Sequence, residues 1–206
     1  MKNSLSSDEK ARAAFRKAAK LWRDDTCIDI DEYDPTKTGT CANNKPACQN
    51  DGFAHPRDCS KCICPSGYGG PLCNKKPSSC GAEVEASSDW QSFENTLAAG
   101  DAGEERDEYK RCTYWIKVPD NVSNAKIEVT IVELPDKFFK DGCIYAGVEI
   151  KAHPDKRRTG YRFCSQKDVG TVLSSNSSLV PVITYSASRT DAFSTKLEYR
   201  YTLEEN

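Results

Sequence analysis

Histidine is nearly missing from this chain of 206 residues: only His55 and His153 occur, each directly before a proline, and the sole methionine is Met1. Two imidazoles cannot give a catalytic metal three nitrogen ligands and an open position for water. No run of about 18 apolar residues exists, so no segment reads as a membrane span. The opening MKNSLSSDEK lacks the apolar stretch of a secretory signal. A glycine-rich phosphate loop and a G-x-S-x-G elbow are also absent, and no base stands beside a plausible nucleophile. Charge of one sign does not dominate: the formal net charge is -2, so no global field steers the chain to nucleic acid. Hydrophobic residues make up 37% against 29% charged, which argues for several small cores with covalent help over one large core.

Cysteine is what the chain has in excess. Of 11 cysteines, six fall between Cys41 and Cys73, in a stretch rich in glycine and proline. That density belongs to an oxidising compartment, where crosslinks replace a missing core. A zinc knuckle is the rival reading, but only Cys59 and Cys62 have C-x-x-C spacing. Asn121-Val-Ser123 and Asn176-Ser-Ser178 are N-glycosylation sequons, which agrees with a secreted glycoprotein. The missing signal peptide then leads to the expectation that the chain either lost it or is a fragment or splice product of a longer secreted protein, the second being favoured.

Along the chain, residues 6–25 predict an amphipathic helix with a Ser6/Glu9 capping box. Phe15, Ala18, Ala19 and Trp22 form one apolar face that could dock on a core through the two aromatics, but no such core is evident nearby, and residues 1–40 are expected to be mobile. Residues 41–73 show no hydrophobic periodicity and read almost entirely as loop. From Cys80 onward the pattern is that of strands. Tyr114, Ile116 and Val118 alternate with Trp115 and Lys117, and Ile127, Val129 and Ile131 alternate with polar residues, so each strand has one buried and one wet face. Further strands are predicted at 144–151, 160–164, 179–186 and 194–203, the last with Leu197, Tyr199, Tyr201 and Leu203 facing in. Short strands separated by turn signals predict an antiparallel β-sandwich.

The spacing Cys41-x6-Cys48-x10-Cys59-x2-Cys62-x-Cys64-x8-Cys73, ending in CICPSGYGGPLC, resembles an EGF-like domain. The resemblance implies the pairs Cys41 with Cys59, Cys48 with Cys62 and Cys64 with Cys73. Calcium-binding members carry acidic and amide residues before their first cysteine; Gly39-Thr40 stand there, so no calcium is expected. Cys80-Gly81, the segment CTYWIKVP at 112–119, and residues 143–164 resemble a CUB domain over about 80–203. That resemblance implies Cys80 with Cys112 and Cys143 with Cys164, and a binding role. CUB domains often read proteins through a loop-bound calcium; Ala146 and Gly147 stand where its aspartate is expected, so that contact is doubtful. The basic run Lys156-Arg157-Arg158 could meet an anionic partner, but reads more readily as a solvated hairpin tip.

Residues 18–30, AAKLWRDDTCIDI, resemble the opening of astacin-type zinc metalloproteases, and the order helix, EGF-like, CUB is similar to nematode astacin-like enzymes. The H-E-x-x-H-x-x-G-x-x-H helix and Met-turn of that family are not encoded. The expectation is therefore a mostly β, disulfide-rich chain: 1–40 a remnant of the protease N-terminus, 41–73 EGF-like, 74–79 a linker, 80–206 CUB. No enzyme activity or cofactor is expected, zinc belonging only to a full-length parent enzyme. The expected partner is an extracellular or matrix protein. The alternative is that the sequence is an incomplete record of an active secreted astacin-family zinc endopeptidase. Cys27 is left unpaired in the first assignment, open to a disulfide-linked dimer. In a second, Cys41 is its distal partner and the EGF-like framework is one cysteine short.

Overall fold

The computed structural model describes residues 9–25, 46–55, 58–99, 109–188 and 190–203. Helix α1 spans Glu9–Asp25. Its Phe15 is 77% exposed, so this aromatic does not dock on a core. The Trp22 side chain and Ser6 lie outside the described residues.

The cysteine-rich stretch is not all loop. β1 (Phe53–His55) and β2 (Asp58–Ile63) form an antiparallel hairpin, with Phe53 opposite Ile63 and a register shift at Ala54/His55. Two effects make strand possible without an apolar pattern. The Asp58 carboxylate accepts from the Ser60 N–H at 3.1 Å and pairs with Lys61 at 2.9 Å, which shapes the start of β2. A crosslink joins Cys48 to Cys62 on β2, and another joins Cys64 to Cys73, so the alternating cysteines send their bonds to different neighbours. Cys27 and Cys41 lie outside the described residues, as does the Cys59 side chain.

The sandwich has two sheets. The five-stranded sheet has the order β3 (Glu83–Glu85), β5 (Lys110–Lys117), β10 (Leu179–Ser186), β7 (Ala146–Ile150), β8 (Tyr161–Phe163). The four-stranded sheet has the order β4 (Gln91–Leu97), β11 (Phe193–Leu203), β6 (Ala125–Glu133), β9 (Val172–Ser175). The strand pairings of both sheets are antiparallel, except that β3 runs parallel to β5 in the five-stranded sheet. Strands β3, β4 and β9 carry little apolar alternation, which is why the sequence pattern passes over them.

Between the sheets lie Ile116, Val148, Ile150, Val180 and Val182 from one side and Ile127, Val129, Ile131, Phe193 and Leu197 from the other. The burial of this apolar surface is the main force holding the lobe together. One polar pin crosses it. Asn95 Nδ2 donates to Thr184 Oγ1 at 2.6 Å, and the Tyr114 hydroxyl donates to Asn95 Oδ1 at 3.0 Å. The predicted inward set on β11 holds at Leu197 and Tyr199 and in part at Tyr201, while Leu203, the last residue of the strand, is 64% exposed.

The outer face of β5 differs from the wet face predicted for it. Trp115 is 4% exposed because residues of the cysteine-rich lobe cover it. Residues 74–79, expected as a linker, are drawn in as well. Gly69 and Lys75 exchange backbone hydrogen bonds at 2.8 and 3.1 Å, and Lys76 Nζ donates to the carbonyls of Pro77 and Ser79, each at 2.9 Å.

Candidate recognition surfaces

Two crosslinks staple the sandwich. Cys80–Cys112 ties the entry of the chain to β5, and Cys143–Cys164 ties the loop before β7 to the end of β8. Around the second bridge the Tyr185 hydroxyl donates to the Cys143 carbonyl at 2.8 Å, and the Tyr109 hydroxyl donates to the Ile144 carbonyl at 2.6 Å. Burial pushes the Tyr185 hydroxyl up to about 12, so it stays a donor at neutral pH.

Ala146 and Gly147 are both buried in β7. A Cβ at Gly147 would come within 2.8 Å of both the Phe163 carbonyl and the Tyr185 hydroxyl, so the aromatic ring fills the space a side chain would need. Three carboxylates around these loops are already engaged. Glu149, 4% exposed, accepts from the Gly160 N–H at 2.9 Å and pairs with Arg162 at 3.2 Å. Asp168 accepts from the N–H groups of Cys164 and Ser165, and Asp136 from that of Gln166. Among the described residues no group of three or more His, Cys, Asp or Glu could hold a metal ion. His55 lies on β1, and His153 Nδ1 accepts from the Asp155 N–H at 3.0 Å. These imidazoles sit in different lobes and are the only two in the sequence, so the residues present do not fit a three-imidazole zinc site, and no hydrolytic step follows from them.

The basic run is more than a hairpin tip. Lys151, 6% exposed, donates through Nζ to the Lys156 carbonyl at 2.8 Å and also to that of Arg158, which gathers the loop around one cation. Burial depresses the Lys151 ammonium from its ordinary value, against the opposing pull of Glu149 and Asp155. Asp155 holds Arg157 at 3.0 Å and Arg158 at 3.7 Å, and the Arg157 contacts bring its carboxyl down to about 2. Lys156 leaves the cluster and reaches the cysteine-rich lobe, where its N–H donates to Asp51 at 3.0 Å and its Nζ to Asn50 at 2.8 Å.

The two sequons lie at one end of the sandwich. Asn121 is exposed in the turn between β5 and β6, and Asn176 is exposed between β9 and β10. The Val118 N–H donates to the Ser178 carbonyl at 2.9 Å, so the two turns adjoin. The opposite end exposes Phe139, Ile144 and Tyr145, at 54%, 50% and 53%. Ile144 and Tyr145 fall in the strand predicted at 144–151 but stand just ahead of β7, which begins at Ala146, and Phe139 lies in loop, so no apolar periodicity marks this end.

No family model matches the chain. A search of curated proteins does find relatives. The chain is 45% identical over 159 residues to zinc metalloproteinase nas-31 of Caenorhabditis elegans, which covers 77% of this chain and 25% of that protein. Zinc metalloproteinase nas-29 of the same nematode is 32% identical over 165 residues, covering 78% of this chain and 29% of the relative. Its homologues are nematode astacin zinc metalloproteinases. This astacin-related chain thus spans between a quarter and a third of the length of those two relatives. Among solved structures it is similar to the CUB1-EGF-CUB2 domains of rat MASP-1, with a TM-score of 0.41 and 15% identity over 60% of this chain and 44% of that one. It is also similar to the extracellular region of zebrafish Gpr126/Adgrg6, with a TM-score of 0.44 and 18% identity over 62% of this chain and 15% of that one.

Proposed function

We propose that this astacin-related chain is a secreted, non-catalytic recognition module. In this reading residues 41–73 are an EGF-like domain, residues 80–206 a CUB domain, and the pair docks on an extracellular or matrix protein. The observation that carries it is the pairing of crosslinked β-lobes, related in sequence to zinc proteases, with a sequence that encodes only two imidazoles. Disulfides at this density persist in oxidising compartments, which supports an extracellular site of action. Asn121 and Asn176, both exposed, are the proposed glycan acceptors. Cys27 is the proposed odd thiol and the route to a disulfide-linked dimer.

The test uses the 206-residue chain secreted from eukaryotic cells. It should retain no zinc after dialysis, cleave no protein substrate, and bind an extracellular-matrix preparation saturably. Binding should survive chelation of calcium and vanish on reduction and alkylation. Metal-dependent proteolysis, or equal retention of the native and the alkylated chain, overturns the reading. A non-reducing gel resolves the dimer, which Cys27→Ser should abolish.

A second reading follows from the relatives themselves. They are zinc metalloproteinases, and the chain spans only 25% of nas-31. On that reading the gene product is an active zinc endopeptidase of which this sequence is a part. A transcript that encodes the zinc-binding helix between Thr40 and Cys41 would establish it.

A further inference from the structure

The outer face of the five-stranded sheet carries a dedicated seat for the cysteine-rich lobe. Trp115 of β5 stands there beside Pro181, its cross-strand neighbour on β10. The turn at residues 65–70 lies against them. Trp115 Nε1 donates to the Gly67 carbonyl at 2.7 Å in a buried hydrogen bond, and the Tyr68 ring packs on the indole at 5.7 Å between centroids. Tyr68 is 5% exposed, although it belongs to a loop of a small lobe. Gly67 has φ +87°, and a Cβ there would meet the Pro181 Cβ at 2.8 Å, so only glycine allows this approach. Beside the seat, Lys156 adds a second anchor through Asn50 and Asp51, with its ammonium 5.7 Å from the centre of the Tyr68 ring.

Two anchors on different segments of the lobe, Gly67 and Tyr68 in one and Asn50 and Asp51 in the other, restrain rotation as well as translation. Covalently tethered lobes with few contacts move relative to one another by default, and a buried aromatic seat removes that freedom. We infer that the seat formed by Trp115, Pro181 and Gly67, with Lys156 as a second anchor, locks the cysteine-rich lobe and the sandwich into one rigid body. A partner would then meet a single surface on which the exposed Phe53 and Ile63 pair and the Arg157 and Arg158 guanidinium groups hold a fixed spacing. The rigidity stands or falls apart from the recognition reading, because its test needs no partner.

The test is nuclear relaxation on the secreted full chain, with the Trp115 indole proton assigned by its loss in Trp115→Phe. Both lobes should share one rotational correlation time, and the indole proton should exchange slowly with solvent. Gly67→Ala should split the correlation times and abolish that protection while the Cys80–Cys112 and Cys143–Cys164 bridges stay formed. Gly170→Ala is the matched control: it has φ +85° and nothing within 4 Å, so it carries the same backbone strain without touching the seat and should leave both readouts unchanged. Separate tumbling of the lobes in the unaltered chain overturns the inference even if Gly67→Ala does not fold. Shared tumbling and slow indole exchange in Gly67→Ala overturn it as well.

Discussion

Asn95 shows how a single polar side chain can be worth a whole apolar one. It faces the interior between two sheets, yet both of its side-chain functions are used, one on Thr184 and one on Tyr114. Asn95→Ala leaves the buried Thr184 and the half-buried Tyr114 unpaired, so it should cost about 1–3 kcal/mol, read as a shift of the urea midpoint at constant slope. An unchanged midpoint would mean that water replaces the amide. At Tyr68, burial foremost, with the nearby Asp51 charge second, pushes the hydroxyl up to about 12. A phenol released by unfolding titrates near 10. The folded value lies above the unfolded one, so the contribution is complete below about pH 10 and is lost as pH rises toward 12. Spectrophotometric titration at 295 nm should show at least two tyrosines, Tyr68 and Tyr185, ionising late, and loosening of the lobe contact should depend on Tyr68 alone.

Among the elements, the loop of residues 151–160 is organised from inside by Lys151, whose ammonium reaches two carbonyls of its own hairpin. Lys151→Met keeps most of the stem but strands those carbonyls, so amide exchange across 153–158 should accelerate at least tenfold while β7 and β10 stay protected. Removing the Cys143–Cys164 bridge by a double serine substitution should cost about 2–4 kcal/mol in thermal or denaturant unfolding. The strands with clean alternation, β6 above all, were legible in the sequence because Ile127, Val129 and Ile131 each point at the opposite sheet. Strands β3, β4 and β9 were not, since edge or polar strands take their place from backbone pairing with a neighbour already in the sheet. The β1–β2 hairpin was hidden for a related reason: crosslinks and an Asp58 turn, not a periodic face, hold it.

For the molecule as a whole, the lobes differ in what holds them. The sandwich has a broad apolar interior, whereas among the described residues the buried apolar cluster of the cysteine-rich lobe consists of Tyr68 and Cys73 shared with Trp115. Full reduction should therefore melt the cysteine-rich lobe first, and the sandwich should retain its β circular dichroism while the Trp115 indole becomes solvent-exposed. Simultaneous loss of both signals would show that the two lobes fold as one cooperative unit. The β-rich, crosslinked character of the chain was readable from cysteine spacing and strand periodicity. The seat between lobes was not, because a tryptophan on the polar side of an alternating strand looks like a solvent-facing residue until the segment that covers it is placed. Phe15 is the converse case: the helix was readable, but its periodicity could not say that the aromatic would face solvent.

The hydrogen bond from Val118 to Ser178 places the two sequon asparagines on adjoining turns at the same tip. Carbohydrate attached to both would merge into a single hydrated canopy, roughly as bulky as the tip it covers. Such a canopy would polarise the particle, leaving the bare phenylalanine, isoleucine and tyrosine at the far tip as the approachable pole.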